Sequence, residues 1–468
     1  MKVFQPRVSV RLIKAMPRKE IIPGVASNPR FSALTELDLT PYLGDLGSVH
    51  TSKSVHQPAG TFMLLFPDQG AAFGLLAAYI EPMDMIEIRM CSQGELAIVM
   101  RGFVSLVEHS ESMSGGKPLR MITVSGHDYG KILQMIQIIY LPLAVSDQYF
   151  LEWLRWAQQY AGESSVKQKS ATEFVQDVLT EVINPFLSNL ALSNKPVGEG
   201  NAFISTLSNG VSAEVEGAIS TYAPNQFTDV SLYDMLKTLL DAPTFNELFV
   251  YDTEEGVTLV VRPTPFKSLQ TRTFIQGTAA QITLDYDDII SQKTTRSDES
   301  VANYFWVEHH FSNINQMDIK LMALADDKDS FVTFDYLNSL KQKFAIRKME
   351  VTSWLLAPEY EHSDSPDAQQ HVKQKTSIEN WMHTRRKLLT EMNRDNSILE
   401  SGSLLVRGNV QIKAGCYLAL YNKGNYLAEV YAHTVSHEFK PFTEFTTRVD
   451  FVRGTGFFEQ VLQGGHGA

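Results

Sequence analysis

Histidine, serine and aspartate supply the side chains of this sequence best suited to chemistry, and their spacing limits what they can do together. His433 and His437 stand four apart in a stretch where apolar and polar residues alternate. On a helix that interval brings two imidazoles to one face for a metal, whereas on a strand it separates them by roughly 13 Å, too far for one ion. They are therefore read as solvated strand or turn residues. His309 and His310 point to opposite faces of a strand and cannot chelate together. His127 and Asp128, with Ser125 nearby, offer part of a catalytic triad. Ser125 lacks the G-x-S-x-G context that exposes a nucleophile at a strand end, so Asp128 is read as a helix cap instead.

Carboxylates cluster at Asp285, Asp287 and Asp288 and again at Asp326, Asp327 and Asp329. Neither group has the Asp-x-Asp-x-Asp-Gly loop with a later Glu that a calcium hand needs, and both are expected to be solvated charge. With 53 acidic residues, spacing singles out no carboxylate pair for glycoside hydrolysis. Glycine-rich phosphate loops are absent. Cys91 and Cys416 lie in strand-like runs, where a free buried thiol behaves as a small apolar side chain. The expectation is a protein with no catalytic residues, no cofactor and no metal.

The elements around these residues are mostly strands. In the stretch from Ser403 to Phe457, Leu404, Val406, Val410 and Ile412 alternate with Arg407, Asn409, Gln411 and Lys413, predicting one half-buried strand. Gly415 turns the chain, Cys416 to Tyr421 forms a second strand, and Asn422-Lys423-Gly424-Asn425 supplies a tight hairpin turn. A third strand runs from Tyr426 to His433. In the fourth, Phe445, Val449 and Phe451 face one way and Glu444, Arg448 and Asp450 the other. Such a sheet, apolar on one face, must close on itself or be covered.

Earlier in the chain, Val8, Val10 and Leu12 share one face of a short strand that ends where Ile13 breaks the alternation. From Glu95 to Val107, Leu96, Ile98, Met100, Val104 and Leu106 share a face, while Val99, Phe103 and Val107 make the other partly apolar, so this strand is expected to be covered on both sides. Helical patterns follow at Gln148 to Tyr160, after the capping box Ser170-Ala171-Thr172-Glu173, and at SLYDMLKTLL. Asn194 to Asn225 reads as a long loop or an ordered excursion, and FNELFVYDTEEGVTLVVRPTPF as a hairpin turning between Asp252 and Gly256. Ser365-Pro366-Asp367 starts a helix whose stretch from Ser377 to Met392 carries many charges and is expected to be largely exposed.

A chain of 468 residues, 44% of them apolar, can bury several cores, and the size prior suggests two to four domains. The net charge of −12 argues against a surface that grips nucleic acid, which needs clustered Lys and Arg. MKVFQPRVSVRLIK carries charges in place of an apolar signal core, and AAFGLLAAYI stops at Glu81-Pro82, well short of a membrane span. Cytosolic synthesis and no stable membrane insertion are expected.

The strand ending in SGHDYGK, the hairpin NELFVYDTEEGVTLVVRPTPF, the segment ITLDYDDIISQKTTRSDESVANYF and the closing FVRGTGF follow one another in an order and spacing that spans most of the chain. In this the sequence resembles baseplate hub proteins of contractile phage tails, the late-control-protein-D-like group. The resemblance implies a β-rich α+β, multidomain fold: two tube-type β-barrel domains with inserted α+β modules. The strand and helix patterns set the bounds: a first barrel at 1–128, an α+β insertion at 129–267, a second barrel at 268–311 with 396–457, a mixed or helical insertion at 312–395, and a tail at 458–468. The resemblance further implies a structural, non-enzymatic role as a homotrimer that adapts a six-fold tail tube to a three-fold central spike. The implied partners are the spike, the tail tube protein and other baseplate proteins, with DNA only as passing cargo. The implied location is the virion tail baseplate after assembly in the host cytoplasm. The alternative is a tail-associated cell-wall hydrolase with its site in the loop between Asn194 and Asn225.

Overall fold

The computed structural model describes residues 5–14, 36–67, 76–114, 117–138, 168–192, 230–269, 271–310, 336–358 and 368–457, with short pieces at 204, 206–210, 215–220 and 227. Thirteen strands make one largely antiparallel sheet. Seven lie early in the chain: Arg7–Ile13, Glu36–Asp38, Ser48–Ser54, Thr61–Pro67, Met85–Cys91, Ala97–Ser114 and Lys117–Asp128. Six lie late: Gln281–Asp285, Ile289–Thr295, Glu400–Arg407, Tyr417–Asn422, Asn425–Lys440 and Glu444–Thr455. The halves join where Ser48–Ser54 pairs with the second part of Asn425–Lys440, from Val49 opposite Phe439 to Ser54 opposite Thr434.

Each half curls by the same device. In the early half, Glu36–Asp38 and Ser48–Ser54 stand at opposite ends of a seven-strand path, yet they are consecutive in the chain. Six antiparallel steps separate them, so they run in the same direction. In the late half, Gln281–Asp285 pairs parallel with Tyr417–Asn422 at one end, and Ile289–Thr295 pairs antiparallel with Glu400–Arg407 at the other. Only Tyr286–Asp288 lies between them. In both halves one stretch of chain serves both ends of the path, and a flat sheet cannot satisfy that; it must bend until its ends approach.

Each curl wraps its own core. Val10, Leu12, Phe62, Leu64, Ile88 and Val124 pack in the early one, and Leu404, Val406, Leu418, Val430, Val449 and Phe451 in the late one. Phe439 and Phe445 of the late half pack into the early core, so the halves share apolar contact as well as the seam. A third core belongs to the α+β elements. It combines Leu236, Leu239 and Phe245 with Val307, Leu355, Trp381 and Leu389, and it also takes in Ile13 and Phe103. This accounts for the break in alternation at Ile13 and for the two-sided apolarity around Phe103. Tyr304–His309 pairs parallel with Lys348–Ser353, away from the large sheet.

Three local readings change. The strand predicted from Leu404 to Lys413 ends at Arg407: the Asn409 N–H donates to Thr447 Oγ1 at 2.9 Å and its side-chain oxygen accepts from Gln411 N–H at 3.0 Å, which turns the chain, while the Phe445 ring packs on Gly408. Leu106 does not share the face of Val104: a bulge places Val104 opposite Gly126 and Leu106 opposite Ser125, leaving Leu106 54% exposed. The stretch from Ser377 to Met392, in the helix Ala368–Asn393, is not largely exposed. Trp381, Met382 and Leu389 are buried. Arg385 is buried against the Phe245 and Trp381 rings, and Arg386 against Trp306. No helix among the described residues is long and apolar enough to cross a membrane. The expected helix over 148–160 and the helix start at Ser365-Pro366-Asp367 lie outside the described residues, as do most of the 194–225 loop and the tail at 458–468.

Candidate functional site at the junction of the sheet halves

The hairpin of Asn246–Asp252 and Val257–Pro263 is apolar on both faces and is buried on both. Its turn is closed by Thr253 N–H donating to the Gly256 carbonyl at 2.9 Å. The charged residues interrupting its apolar runs, Glu247, Asp252 and Arg262, are themselves buried, so each requires a partner. Those partners come from both halves of the sheet.

On the early side, Asp252 pairs with Lys53, whose ammonium also lies 3.1 Å from Asp128. The Asp252 carboxylate accepts from the Arg101 backbone N–H at 3.3 Å, and Arg101 Nη1 donates to the Thr253 carbonyl at 2.8 Å. Glu254 accepts from the Ile98 backbone N–H at 2.9 Å and from Arg89 at 2.8 Å. Arg101 and Arg89 both reach Glu87, at 3.2 and 2.9 Å. Burial pushes the Asp252 carboxyl up, opposed by Lys53. Burial would likewise push Lys53 down, but Asp252 and Asp128 hold it above its ordinary value.

On the late side, Arg262 donates to Glu247 at 2.9 Å, to the Gly415 carbonyl at 2.7 Å and to the Tyr431 hydroxyl at 3.2 Å, while Tyr431 O–H donates to Glu247. Burial raises Glu247, and Arg262 and Tyr431 oppose it. Gly415 has φ 85°, and a Cβ there would stand 2.5 Å from Arg262 Nη2, so both the turn and the guanidinium require glycine. Lys413 donates to the Asp252 carbonyl at 3.1 Å. Phe249 packs with Val55, Tyr417 and Tyr431, joining residues of both halves in one apolar cluster. What this arrangement does is mechanical: one hairpin bolts the two curls together, through ion pairs to the early half and through hydrogen bonds from its own buried Glu247–Arg262 pair to the late half.

His433 and His437 lie on a strand, as their spacing suggests, but they are not solvated. His437 is 5% exposed with Nδ1 2.9 Å from Thr447 Oγ1, and His433 is half-buried against His56. Their strand pairs edge to edge with Ser48–Ser54, so neither histidine stands on a free edge. His309 is buried while His310 is exposed and stacks on Trp354 at 3.4 Å, the opposite-face arrangement expected. Asp128 accepts from Gly130 N–H at 2.9 Å at the start of the helix Gly130–Met135, in addition to its contact with Lys53. Asp285 accepts from Asp287 N–H, and Asp288 lies 3.7 Å from Arg407. The described residues hold no metal-binding group of three or more ligands, and Asp326, Asp327 and Asp329 lie outside them. Cys91 and Cys416 are free and buried.

The hydroxyl nearest His127 is that of Ser105, not Ser125. Ser105 Oγ lies 3.0 Å from His127 Nδ1 and 2.9 Å from Lys131 Nζ. Ser105 is the residue passed over by the bulge, and Lys131 also reaches the Val104 carbonyl at 3.4 Å, so the trio pins the bulge in place. Spacing alone does not reveal this trio, since the bulge itself is invisible in the alternation. The junction charges do leave a signal, a Glu and an Arg inside the apolar runs NELFV and VVRP.

No family model and no curated protein matches the chain. Among solved structures, it is similar to a tail protein from Neisseria meningitidis at 11% identity and a TM-score of 0.48, over 96% of this chain and 97% of that one. It is similar to the 43 kDa tail protein of prophage MuSo2 from Shewanella oneidensis at 13% identity and a TM-score of 0.44, over 96% and 97%. A component of the type VI secretion system of E. coli is similar at 8% identity and a TM-score of 0.37, over 87% and 73%.

Proposed function

We propose that this chain is a structural hub of a contractile phage tail baseplate, with three copies forming a ring. Each curled half is read as one tube-type β-barrel, so that three chains present six similar positions towards a six-fold tail tube while keeping three-fold symmetry towards a central spike. The ring leaves a channel through which DNA passes, and the protein resides in the virion baseplate after assembly in the host cytoplasm. Its role is non-enzymatic.

The observation carrying this reading is the repeated topology. In both halves, consecutive strands running in the same direction serve opposite ends of the sheet path, and the Ser48–Ser54 strand fuses the halves into one sheet. A hub that bridges two symmetries needs two similar modules held at a fixed angle, and the junction charges supply that rigidity. Light scattering on the purified protein, alone and co-expressed with a spike protein, tests the stoichiometry, and averaged electron micrographs test the ring. A three-fold particle with six similar peripheral lobes is expected. A monomer or a dimer in both preparations refutes the hub.

A further inference from the structure

Four cations converge on one cavity of about 110 Å³ beside the exit of the hairpin: Lys267, Arg272, Arg296 and Arg453. In a chain of net charge −12 this is a local reversal of sign. Two carboxylates answer them: Glu429, in the wall, pairs with Lys267 at 2.6 Å, and the buried Glu400 pairs with Arg296 at 3.0 Å. Two positive charges remain without a direct ion pair among the described residues, although Arg453 lies near enough to the buried Glu247 to oppose the rise of its carboxyl. Arg453 donates to the Pro265 carbonyl at 2.8 Å and lies over the Phe266 and Tyr431 rings. Arg272 lies over the Tyr426 ring at 4.1 Å and makes no side-chain hydrogen bond among the described residues.

The backbone adds an independent observation. Arg272 and Arg453 have φ of 58° and 56°, two of only seven non-glycine residues with positive φ among those described. Each such conformation costs on the order of 1–3 kcal/mol and persists where surrounding structure requires it. Here both cases direct an arginine into the same cavity. The planar guanidinium fork matches the two oxygens of a carboxylate or phosphate; Arg453 is half-buried and Arg272 is exposed.

We propose that this cavity is an oxyanion-binding site, taking one phosphate-like or carboxylate group between Arg272 and Arg453. The proposal is independent of the hub reading. Isothermal titration calorimetry of the full chain with inorganic phosphate, at ionic strength held constant with chloride, should show one saturable site per chain. Arg272→Gly suits the local φ and removes the guanidinium, and it should weaken phosphate binding at least tenfold with no loss of melting temperature. Arg272→Lys keeps the charge without the fork and should bind more weakly than the wild type. A parallel titration with acetate separates the sources: binding comparable to phosphate assigns a protein carboxylate as the natural group, and a clear preference for phosphate assigns a phosphoryl group. No saturable heat with either anion, or Arg272→Gly binding as the wild type does, overturns the proposal.

Discussion

His433 Nε2 lies 2.8 Å from His56 Nδ1, edge to face with ring centroids 4.4 Å apart, across the line where the two sheet halves meet. His50 and His437 occupy the same pair of strands. Burial lowers all four, His56 and His437 to about 4. Arg453 and Lys237 reinforce this at His56, and Lys413 at His437, whereas Asp450 opposes it at His433 and Glu438 at His50.

Acid should therefore loosen the junction first. Unfolded histidine takes up its proton near 6.5, while folded His437 resists until about 4, so the unfolded state binds more protons between those values. The stability contributed is fully present above pH 6.5 and is lost as pH falls through 4, about 3 kcal/mol for the fully buried His437. Melting temperature measured from pH 7.5 to 4.5 should fall, and His437→Gln should flatten the decline. Parallel profiles for the variant and the wild type would show that this histidine does not titrate with unfolding.

Gly415→Ala should destabilise by about 2–3 kcal/mol, since the new Cβ meets both a left-handed φ and the Arg262 guanidinium. Adding Arg262→Ala would not restore stability, because the buried Glu247 would lose its cation. Chemical denaturation of the single and double variants checks this; full recovery in the double variant would mean that Glu247 needs no partner.

Val449 is fully buried in the late core and Arg448, its neighbour, is exposed. Val449→Lys places a charge without a partner among apolar side chains, at a cost of several kcal/mol, comparable with a domain's whole stability. Arg448→Lys should be within about 0.5 kcal/mol of the wild type. Equal soluble yield and melting temperature for the two variants would contradict the strand phase.

That phase was legible because Phe445, Val449 and Phe451 keep strict alternation, and each is buried. The turn at Asn422-Lys423-Gly424-Asn425 was legible from its Asn and Gly, although the positive φ falls on Lys423 and Gly424 rather than on an Asn. What escaped were features fixed by distant neighbours. Asn409, held by Thr447, turns the chain after Arg407, a bulge rotates Leu106 outward, and aromatic rings bury Arg385 and Arg386 on a helix whose charges resemble those of a solvated face. The junction is the extreme case, since Lys53 and Asp252 are separated by 199 residues and local periodicity contains nothing of their meeting.

Lys53 is the cation between two buried carboxylates, Asp128 and Asp252, contributed by the early sheet and by the hairpin. Lys53→Met removes the charge while keeping much of the apolar stem, and leaves the two acids facing each other in a poorly solvated space. Losing one partner of a buried ion pair typically costs about 3–5 kcal/mol. Part of that cost is repulsion between like charges, so protonating one carboxylate relieves it. The deficit of Lys53→Met relative to the wild type should accordingly be largest near pH 7 and shrink towards pH 5, opposite in direction to the histidine effect, which acts on both proteins alike. The double variant Lys53→Met with Asp252→Leu removes the hairpin acid as well, and should recover more than half of the loss at pH 7. Denaturant midpoints at the two pH values for the wild type, the single and the double variant distinguish these terms. A deficit independent of pH would show that packing of the lysine stem, rather than its charge, holds the hairpin to the early half of the sheet.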